Sequence, residues 1–362
     1  VTKPTAAMLE AARNCAVGDD VFGEDPTVVA LEQRIARLTG KEAGLFCASA
    51  TMTNQLAIRC HLTQPPHSIL CDKRAHIYKY ECGGAAFHSQ ASTTAIMPRN
   101  GVHLTAEEIE ANLVEEDVHT APTRLISLEN TLNGVIFPWD ELSDIHQLAR
   151  QRSIPLHLDG ARLWNASVAT GISLQAYGTL FDSISLCISK GMGCPIGSVL
   201  VGTKPFIERA RWFRKLFGGG WRQAGILASM GLVALEDYGE RMALDHLHAS
   251  QLAEACARHQ LACQLPVHTN MLFLDTGARS AAKLAAHLQQ HHRILTMPMS
   301  RSILRMVVHH QISKQDIDHV IATLPTALSA LDADPTEAHN DHEDDDDARA
   351  ANGTSTAYYY RI

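Results

Sequence analysis

The sequence predicts an α/β fold with a mostly parallel sheet in a large N-terminal domain, followed by a smaller α+β domain. Short apolar segments rich in β-branched residues alternate with amphipathic helical patterns, as is typical of parallel sheets covered by helices on both faces. With 362 residues, 46% of them hydrophobic, the chain is long enough to form two cores. We expect a large domain over residues 1–235 and a small one over residues 236–331.

Turn and helix signals between the apolar segments locate the elements of the large domain. A helix is predicted where apolar residues recur at helical spacing from Val28 to Leu38, because Gly40 ends the pattern. Another helix follows the capping-box pair Thr105 and Glu108. Strands are predicted over residues 43–47, 67–72, 92–97, 124–128, 154–158, 183–188 and 198–201.

Two further helices carry glycines near their predicted ends. A helix that opens over residues 75–80 is expected to end near Gly83 and Gly84. A basic amphipathic helix over residues 205–217 precedes the glycines 218–220, which we expect to form a flexible elbow that lets Arg222 reach an anion. A plain helix stop is the alternative for these glycines.

The small domain carries an arginine inside an apolar strand. A long helical pattern over residues 224–260 leads to strands over 270–274 and 303–308, which flank a helix over 281–292. Arg305 interrupts the second strand, and a buried arginine needs an anionic partner or a route to solvent. Arg305 is therefore a candidate for binding a substrate carboxylate in a bidentate manner.

The net charge of −8 belongs almost entirely to the C-terminal residues. Nine acidic residues follow Leu331, against Arg349 and Arg361, so the rest of the chain is nearly neutral. A nearly neutral body without a basic stripe argues against a nucleic-acid partner. We expect residues 332–362 to form a disordered acidic tail.

Cysteine usage and hydropathy bear on compartment. The nine cysteines form no CxxC pair and several lie in apolar runs, which favours buried thiols in a reducing, cytoplasmic setting. No apolar run approaches the length needed to cross a membrane, so no membrane is expected as a partner.

The sequence starts at Val1 and not at a methionine, so we expect a clipped start. His287 and His291 have metal-ligand spacing without a supporting motif, and no metal site is expected.

A lysine and an aspartate follow two neighbouring strands of the predicted sheet. Lys190 follows the strand over 183–188 by two residues, and Asp159 directly follows the strand over 154–158. Because carboxyl ends of parallel strands meet at the edge where α/β sheets bind ligands, we expect both side chains in one site. A desolvated lysine that attacks a carbonyl, with a carboxylate that holds a pyridine nitrogen protonated, is the pair that pyridoxal phosphate requires. A solvated loop lysine and a helix-capping aspartate are the alternatives.

Small hydroxyl residues follow the first predicted strand. Residues 49–55 begin an amphipathic helix, whose free backbone N–H groups and positive dipole end suit a phosphate. An ordinary N-cap is an equally good interpretation of this segment by itself.

Ordered motifs along nearly the whole chain before the tail resemble those of low-specificity L-threonine aldolases. The longest are VGDDVFGEDPT at 17–27, LENT at 128–131, HLDGAR at 157–162, SKG at 189–191, GGGWRQAG at 218–225 and LRMVVH at 304–309. The resemblance implies the aspartate aminotransferase fold, pyridoxal 5′-phosphate as cofactor and a homo-oligomer with active sites shared between subunits, usually a tetramer.

The resemblance also implies roles for individual residues. Lys190 corresponds to the Schiff-base lysine, Asp159 to the partner of the pyridine nitrogen and His76 to the residue stacked on the cofactor ring. The phosphate would be held by Ala50, Thr51 and Ser189, with Arg222 reaching it from a neighbouring subunit. The substrate carboxylate would be held by Arg162 and Arg305, and His119 would lie near the substrate hydroxyl as a candidate base together with His76.

These roles predict a carbon–carbon lyase that cleaves L-threonine or L-allo-threonine to glycine and acetaldehyde, with a small amino acid as its substrate. An amino-acid racemase or β-eliminating lyase would use the same Lys190 and Asp159 on another bond. An inactive assembly protein that keeps only the fold is the third possibility, against which the presence of Lys190, Asp159 and Arg305 argues.

Overall fold

The computed structural model describes residues 1–333, which fall into two compact units. The first unit runs from Val1 to Leu244 and the second starts at Asp245. This division lies nine residues after the predicted one, within the longest helix of the chain. Asp332 ends the last helix, and the remainder of the predicted tail, from residue 334 on, lies outside the described residues.

Seven strands form the sheet of the first unit, in the order β1-β7-β6-β5-β4-β2-β3. They are β1 (Ala43–Cys47), β2 (Ser68–Asp72), β3 (Ser92–Ile96), β4 (Thr123–Glu129), β5 (Leu156–Asp159), β6 (Ser183–Cys187) and β7 (Ser198–Gly202). Only β7 runs antiparallel to its neighbours, so the carboxyl ends of the other six strands share one edge. The predicted mostly parallel sheet is confirmed.

Eleven helices belong wholly or partly to the first unit as described. They are α1 (Ala6–Asn14), α2 (Pro26–Thr39), α3 (Ala50–His61), α4 (His76–Lys79), α5 (Gly84–Ser89), α6 (Ala106–Ala111), α7 (Trp139–Gln151), α8 (Leu163–Thr170), α9 (Leu174–Leu180), α10 (Lys204–Leu216) and α11 (Gly225–Arg258). Local signals explain their bounds: Asp25 caps α2 and Gly40 ends it at φ +65°, and Thr105 and Glu108 form the predicted capping box of α6.

The central strands are buried on both faces because helices cover both sides of the sheet. Every residue of β2, β5, β6 and β7 is buried. The core of the unit is formed mainly by leucine, isoleucine and valine side chains of these strands and of α2 and α7, together with mostly alanine and methionine side chains of α11. At roughly 25 cal/mol per Å² of apolar area, this burial is the main stabilising contribution to the unit.

The structure corrects the prediction at Gly83 and Gly84. Helix α4 already ends at Lys79, and Gly84 begins α5 after Gly83 turns the chain at φ +69°. A Cβ on Gly84 would lie 2.6 Å from Cδ of Gln55, so only glycine allows α5 to approach α3 this closely. The two glycines therefore join two helices.

The second unit contains a four-stranded antiparallel sheet in the order β10-β11-β9-β8. Its elements are β8 (Ala262–Cys263), β9 (Met271–Asp275), α12 (Ala281–His292), β10 (Met297–Pro298), β11 (Ile303–Val307) and α13 (Lys314–Asp332). The sequence predicted β9, α12 and β11 but not the short edge strands or α13. No helix within residues 1–333 combines the length and hydropathy needed to cross a membrane.

Candidate active site

The carboxyl ends of β4 and β5 bring two acidic side chains together. Glu129 is paired in register with Asp159, which in turn is paired with Ser185 on β6. Residues opposite each other in parallel strands point to the same face of the sheet. The amide of Asn130 donates to the Asp159 carbonyl at 3.0 Å, so the pairing of the two strands extends to their ends.

Lys190 lies at the same edge, three residues after β6 ends. A turn closed by the Gly193 amide and the Lys190 carbonyl, 2.9 Å apart, follows the strand. Gly193 has φ +85°, a conformation that a side chain would strain. The Lys190 ammonium acts electrostatically on the Glu129 carboxyl, which Asp159 also influences, so the three groups share one site. Lys190 and Asp159 thus lie at the carboxyl ends of the adjacent parallel strands β6 and β5.

Two N–H groups hold the Asp159 side chain. The Ala161 amide donates to Oδ1 at 3.0 Å, and Asn54 Nδ2 donates to Oδ2 at 2.7 Å. Asp159 is 2% exposed, so these bonds compensate for the loss of water around its charge. Each carboxylate oxygen has further acceptor capacity, which leaves Asp159 able to accept another hydrogen bond.

His76 begins α4 and is fixed through both its backbone and its ring. Its amide donates to Glu129 Oε2 at 2.8 Å, and its Nδ1 lies 2.9 Å from Glu81 Oε1. Burial disfavours the charged ring, but the hydrogen bond to Glu81 and the charges of Asp159, Glu81 and Glu129 outweigh burial and raise the pKa of His76. Because Nδ1 binds the carboxylate, Nε2 is the ring nitrogen left for chemistry.

Glu81 is the centre of the hydrogen bonds around His76. Its side chain is fully buried and accepts bonds from Asn54 Nδ2 at 2.9 Å and from Gln55 Nε2 at 2.6 Å. One ligand-type atom from each of His76, Glu81 and Asp159 lies within 4.8 Å of the others. Such side chains suit a metal ion, but here hydrogen bonds within the group, bridged by Asn54, already join them.

Glu129 is held in an environment that favours its neutral form. Burial and the neighbouring Asp159 charge raise its pKa to about 8, against the opposing effects of the His76 amide and the Lys190 ammonium. A carboxyl group with such a shift, located beside a lysine at the ligand-binding edge of a sheet, is typical of an active site.

The predicted phosphate seat lies at the start of α3, close to the loop after β5. Ser49 caps the helix by accepting from the Met52 amide at 3.1 Å, and the amides of Ala50 and Thr51 lie at the open helix end. The Ala50 side chain packs with those of Ala161 and Cys187. Ser189 Oγ is 3.2 Å from Cys187 Sγ, so it lies beside this cluster.

Arg162 belongs to the same edge, because it follows Asp159 by three residues and occupies the N-cap position of α8. It is partly buried. Arg305 lies in the second unit, on β11, where its guanidinium contacts the sulfur atoms of Met271 and Met297 at 3.4 and 3.7 Å.

The structure does not bring His119 to this edge within one chain. His119 is exposed in a turn before β4, with its amide bound to Asp117 Oδ1 at 2.9 Å. The site is at the carboxyl end of β4, which ends at Glu129, whereas His119 precedes its amino end at Thr123. The strand thus separates His119 from the site.

Arg222 is bound within its own chain, whereas the glycines before it predict a flexible segment. Its guanidinium forms an ion pair with Asp19, and its carbonyl accepts from the Asp20 amide at 3.0 Å. These contacts anchor the segment after the glycines to the turn that contains Asp19 and Asp20.

Sequence reasoning missed four residues that shape the site: Asn54, Gln55, Glu81 and Glu129. One signal was available, because Asn54 and Gln55 are consecutive polar residues on the buried part of α3. Buried polar side chains need partners, so their presence there indicates a polar site beneath the helix. Glu129 could have been found as a third polar strand end beside Asp159 and Lys190.

Comparison with known proteins gives consistent results. A model of the family described as Beta-eliminating lyase matches residues 1–279. Threonine aldolase from Leishmania major has a similar structure, with a TM-score of 0.79 at 20% identity, covering 90% of this chain and 97% of that one. A putative L-allo-threonine aldolase from Listeria monocytogenes gives 0.75 at 23% identity, with coverage of 89% and 93%.

Fold and site together define a carbon–carbon lyase built on the aspartate aminotransferase fold. Low-specificity L-threonine aldolase from Candida albicans is 43% identical over 357 residues, covering 96% of this chain and 91% of the relative. The enzyme of the same name from Saccharomyces cerevisiae is 50% identical over 280 residues, covering 76% and 72%. The chain belongs to the low-specificity L-threonine aldolase family.

Proposed function

We propose that the protein binds pyridoxal 5′-phosphate and cleaves L-threonine and L-allo-threonine to glycine and acetaldehyde. The observation that carries this proposal is the location of Asp159 and Lys190 at the ends of the adjacent parallel strands β5 and β6, with Glu129 paired to Asp159 on the other side of β5. Family membership supports the substrate, since the Candida albicans and Saccharomyces cerevisiae relatives are both named for threonine.

The residues at the sheet edge fit the cofactor. Asp159 has acceptor capacity beyond its bonds from Ala161 and Asn54, as a carboxylate that binds a protonated ring nitrogen requires. Lys190 supplies the amine for the cofactor carbonyl, and the start of α3 with Ser189 offers N–H and hydroxyl donors for its phosphate. When bound, pyridoxal phosphate accepts the electron pair that is released as the Cα–Cβ bond breaks.

His76 is the base that we assign to the substrate hydroxyl. Its Nδ1 is bound to Glu81, so Nε2 is the atom that takes the hydroxyl proton, and the resulting positive charge is stabilised by the buried Glu81 carboxylate. His119 could serve only from a second copy of the chain, because it lies at the other end of β4.

Arg162 and Arg305 are proposed to hold the substrate carboxylate. Guanidinium groups bind carboxylates through two parallel hydrogen bonds, which fixes the orientation of the amino acid. A fixed carboxylate leaves one of the bonds to Cα available for cleavage, so orientation selects the reaction. The resemblance supplies both residues, and for Arg162 the location next to Asp159 supports the role.

We also propose that the protein is a homo-oligomer, a tetramer built from dimers, located in the cytoplasm. Arg222 would serve the phosphate site of a neighbouring subunit. Within its own chain its guanidinium pairs with Asp19 on the surface, and the arginine keeps 57% of its side chain exposed for such a contact.

Replacement of Lys190 by alanine tests the proposal. Purified protein supplied with pyridoxal phosphate should show visible absorbance and release acetaldehyde and glycine from threonine. Lys190→Ala should lose the absorbance band, and its turnover should fall by more than about 10⁴, the upper range for one proton-transfer residue. The control is Lys283→Ala, which removes an exposed lysine of α12.

The same assay separates the alternatives. Racemised alanine without acetaldehyde would support a racemase, and pyruvate from serine a β-eliminating lyase. A colourless protein that fails to take up the cofactor would support an inactive assembly protein. An unchanged spectrum in Lys190→Ala would refute the assignment of this lysine.

A further inference from the structure

A continuous chain of buried hydrogen bonds extends from Asp159 away from the ligand-binding edge. Asn54 Nδ2 is 2.7 Å from Asp159 Oδ2, and Asn54 Oδ1 is 3.2 Å from Nε2 of His157. His157 Nδ1 is 2.8 Å from Ser183 Oγ, which is also 2.8 Å from Nε2 of His61. Asn54, His157 and Ser183 are completely buried, and the sequence patterns predict no function for any of them.

Chemistry fixes the direction of each bond in this chain. The amide nitrogen of Asn54 faces the carboxylates of Asp159 and Glu81, which accept hydrogen bonds when ionised. Its oxygen therefore faces His157, so His157 must carry its proton on Nε2. The remaining Nδ1 of His157 then accepts from the Ser183 hydroxyl, whose oxygen accepts from His61.

Both histidines of the chain are held in their neutral forms. Burial, together with the nearby His61, lowers the pKa of His157 to about 3. Burial lowers the pKa of His61 to about 4, against the opposing charge of Asp182. The chain therefore supplies Asp159 with a set of oriented dipoles and no positive charge, and a neutral His157 has the single N–H that Asn54 requires.

His157 supports the orientation of Asn54 that the carboxylates of Asp159 and Glu81 also favour. Without the Nε2–H donor, the buried amide oxygen of Asn54 would have lost its partner in this orientation, which weakens the preference for holding that oxygen away from Asp159. A rotated amide would bring its oxygen against the carboxylate, and a protonated Asp159 would then be favoured because only that form can donate. A neutral carboxyl group is a weaker partner for a protonated ring nitrogen than a carboxylate.

We infer that His157 and Asn54 are positioning residues that keep Asp159 ionised and able to bind the protonated ring nitrogen of pyridoxal phosphate, although His157 touches Asp159 only through Asn54. The inference rests on the proposed function. According to this inference, the hydrogen-bonded residues behind the Asp159 carboxylate, which include His157, Asn54 and Ser183, help the cofactor ring to accept electrons.

The experiment compares His157→Phe with His157→Gln in the enzyme reconstituted with pyridoxal phosphate labelled with ¹⁵N in the ring. His157→Phe should shift the ring-nitrogen resonance toward the unprotonated form at neutral pH. It should also weaken cofactor binding roughly tenfold, the effect of losing about one hydrogen bond, and lower kcat with little change in KM. His157→Gln keeps a donor and an acceptor, so it should restore most of the wild-type signal.

His67→Phe is the matched control, because His67 is also a buried histidine, bound to the Ser89 carbonyl at 2.7 Å and located before β2. A ring-nitrogen resonance that is unchanged in His157→Phe, or that changes as much in His67→Phe, would overturn the inference. A wild-type protein that gives no visible band with pyridoxal phosphate would instead overturn the proposed function, so the two failures are distinguishable.

A measurement on the unmodified chain covers the case in which His157→Phe does not fold. With ¹⁵N-labelled histidine, His157 should give the signals of a neutral ring protonated on Nε2 from pH 5 to pH 9. A charged ring, or a proton on Nδ1, would show that Asn54 is oriented in another way and would refute the chain as described.

Discussion

Glu129 and Asp159 lie side by side, paired in register at the carboxyl ends of β4 and β5. Two carboxyl groups on one face of a sheet repel each other when both are ionised. Asp159 is bound by two N–H groups, whereas Glu129 is bound by the His76 amide and lies next to the Lys190 charge. Burial and the neighbouring Asp159 charge raise the pKa of Glu129 to about 8, so this carboxyl retains its proton at neutral pH.

Replacement of Glu129 by glutamine should change how stability depends on pH. The pKa of Glu129 rises from 4.5 to about 8 on folding, so the folded state binds more protons in this window and loses stability as pH rises through it. In cofactor-free protein, Glu129→Gln should gain about 3–4 kcal/mol relative to wild type between pH 5 and pH 8, since one pKa unit corresponds to about 1.4 kcal/mol. Urea unfolding at both pH values measures this, with Glu240→Gln as an exposed control; parallel profiles for wild type and Glu129→Gln would contradict it.

Replacement of Glu81 by glutamine should lower the pH at which the enzyme becomes active. Burial opposes the charge of His76, but the bond to Glu81 and the nearby carboxylates raise its pKa. A base works only when neutral, so activity rises as pH passes this pKa, and loss of the Glu81 charge should move the rise to lower pH. Profiles of kcat/KM for threonine measure it. A profile no different from that of Glu254→Gln, an exposed change, would exclude His76 as the base.

Replacement of Arg162 by lysine should weaken substrate binding and leave the cofactor in place. A lysine keeps the charge but loses the paired hydrogen bonds to a carboxylate. We expect KM for threonine to rise roughly ten- to hundredfold, as for the loss of charge-assisted bonds, with the visible absorbance unchanged. Steady-state kinetics and the spectrum of Arg162→Lys measure this. If KM stays at the wild-type value, Arg162 does not hold the carboxylate.

A mixing experiment should reveal whether Arg222 serves a neighbouring subunit. Lys190→Ala and Arg222→Ala each damage one component of a shared site, so each homo-oligomer should be nearly inactive. After the two are unfolded together and refolded, hybrid dimers should contain one intact site, which restores about a quarter of the wild-type sites. The mixture's acetaldehyde release gives the result. No recovery, with hybrids present, would mean that Arg222 acts within its own chain.

Arg214 should be important for stability because it is buried with its partners. The arginine is 2% exposed and binds Asp20 Oδ2 at 2.7 Å and the Phe46 carbonyl at 2.6 Å. Arg214→Met should lower the free energy of unfolding by roughly 3–5 kcal/mol, because it leaves the Asp20 charge buried without its closest partner. Arg37→Met, on the exposed side of α2, should cost less than about 1 kcal/mol. Equal urea midpoints for the two variants would argue against this buried ion pair.

Local sequence patterns were sufficient to predict the strands and the edge at which the site lies. The apolar segment of β6 stops before Ser189 and Lys190, and that of β5 stops at Asp159. The end of each apolar segment therefore predicts the end of its strand. His119 precedes β4 in the sequence, so within one chain it lies at the end of that strand opposite to Glu129. The antiparallel direction of β7 has no local signal, because parallel and antiparallel buried strands have similar composition.

The sequence by itself thus determined the alternation of strands and helices, the capped helix ends and the location of Lys190 and Asp159 at one edge. These features depend on hydrophobic periodicity and on turn residues, which act over a few neighbouring positions. Only the tertiary structure decided that Asn54 joins Asp159 to Glu81 and His157, and that Arg222 pairs with Asp19. Such contacts join elements far apart in sequence, and the need of buried polar groups for a partner does not specify which distant residue provides it.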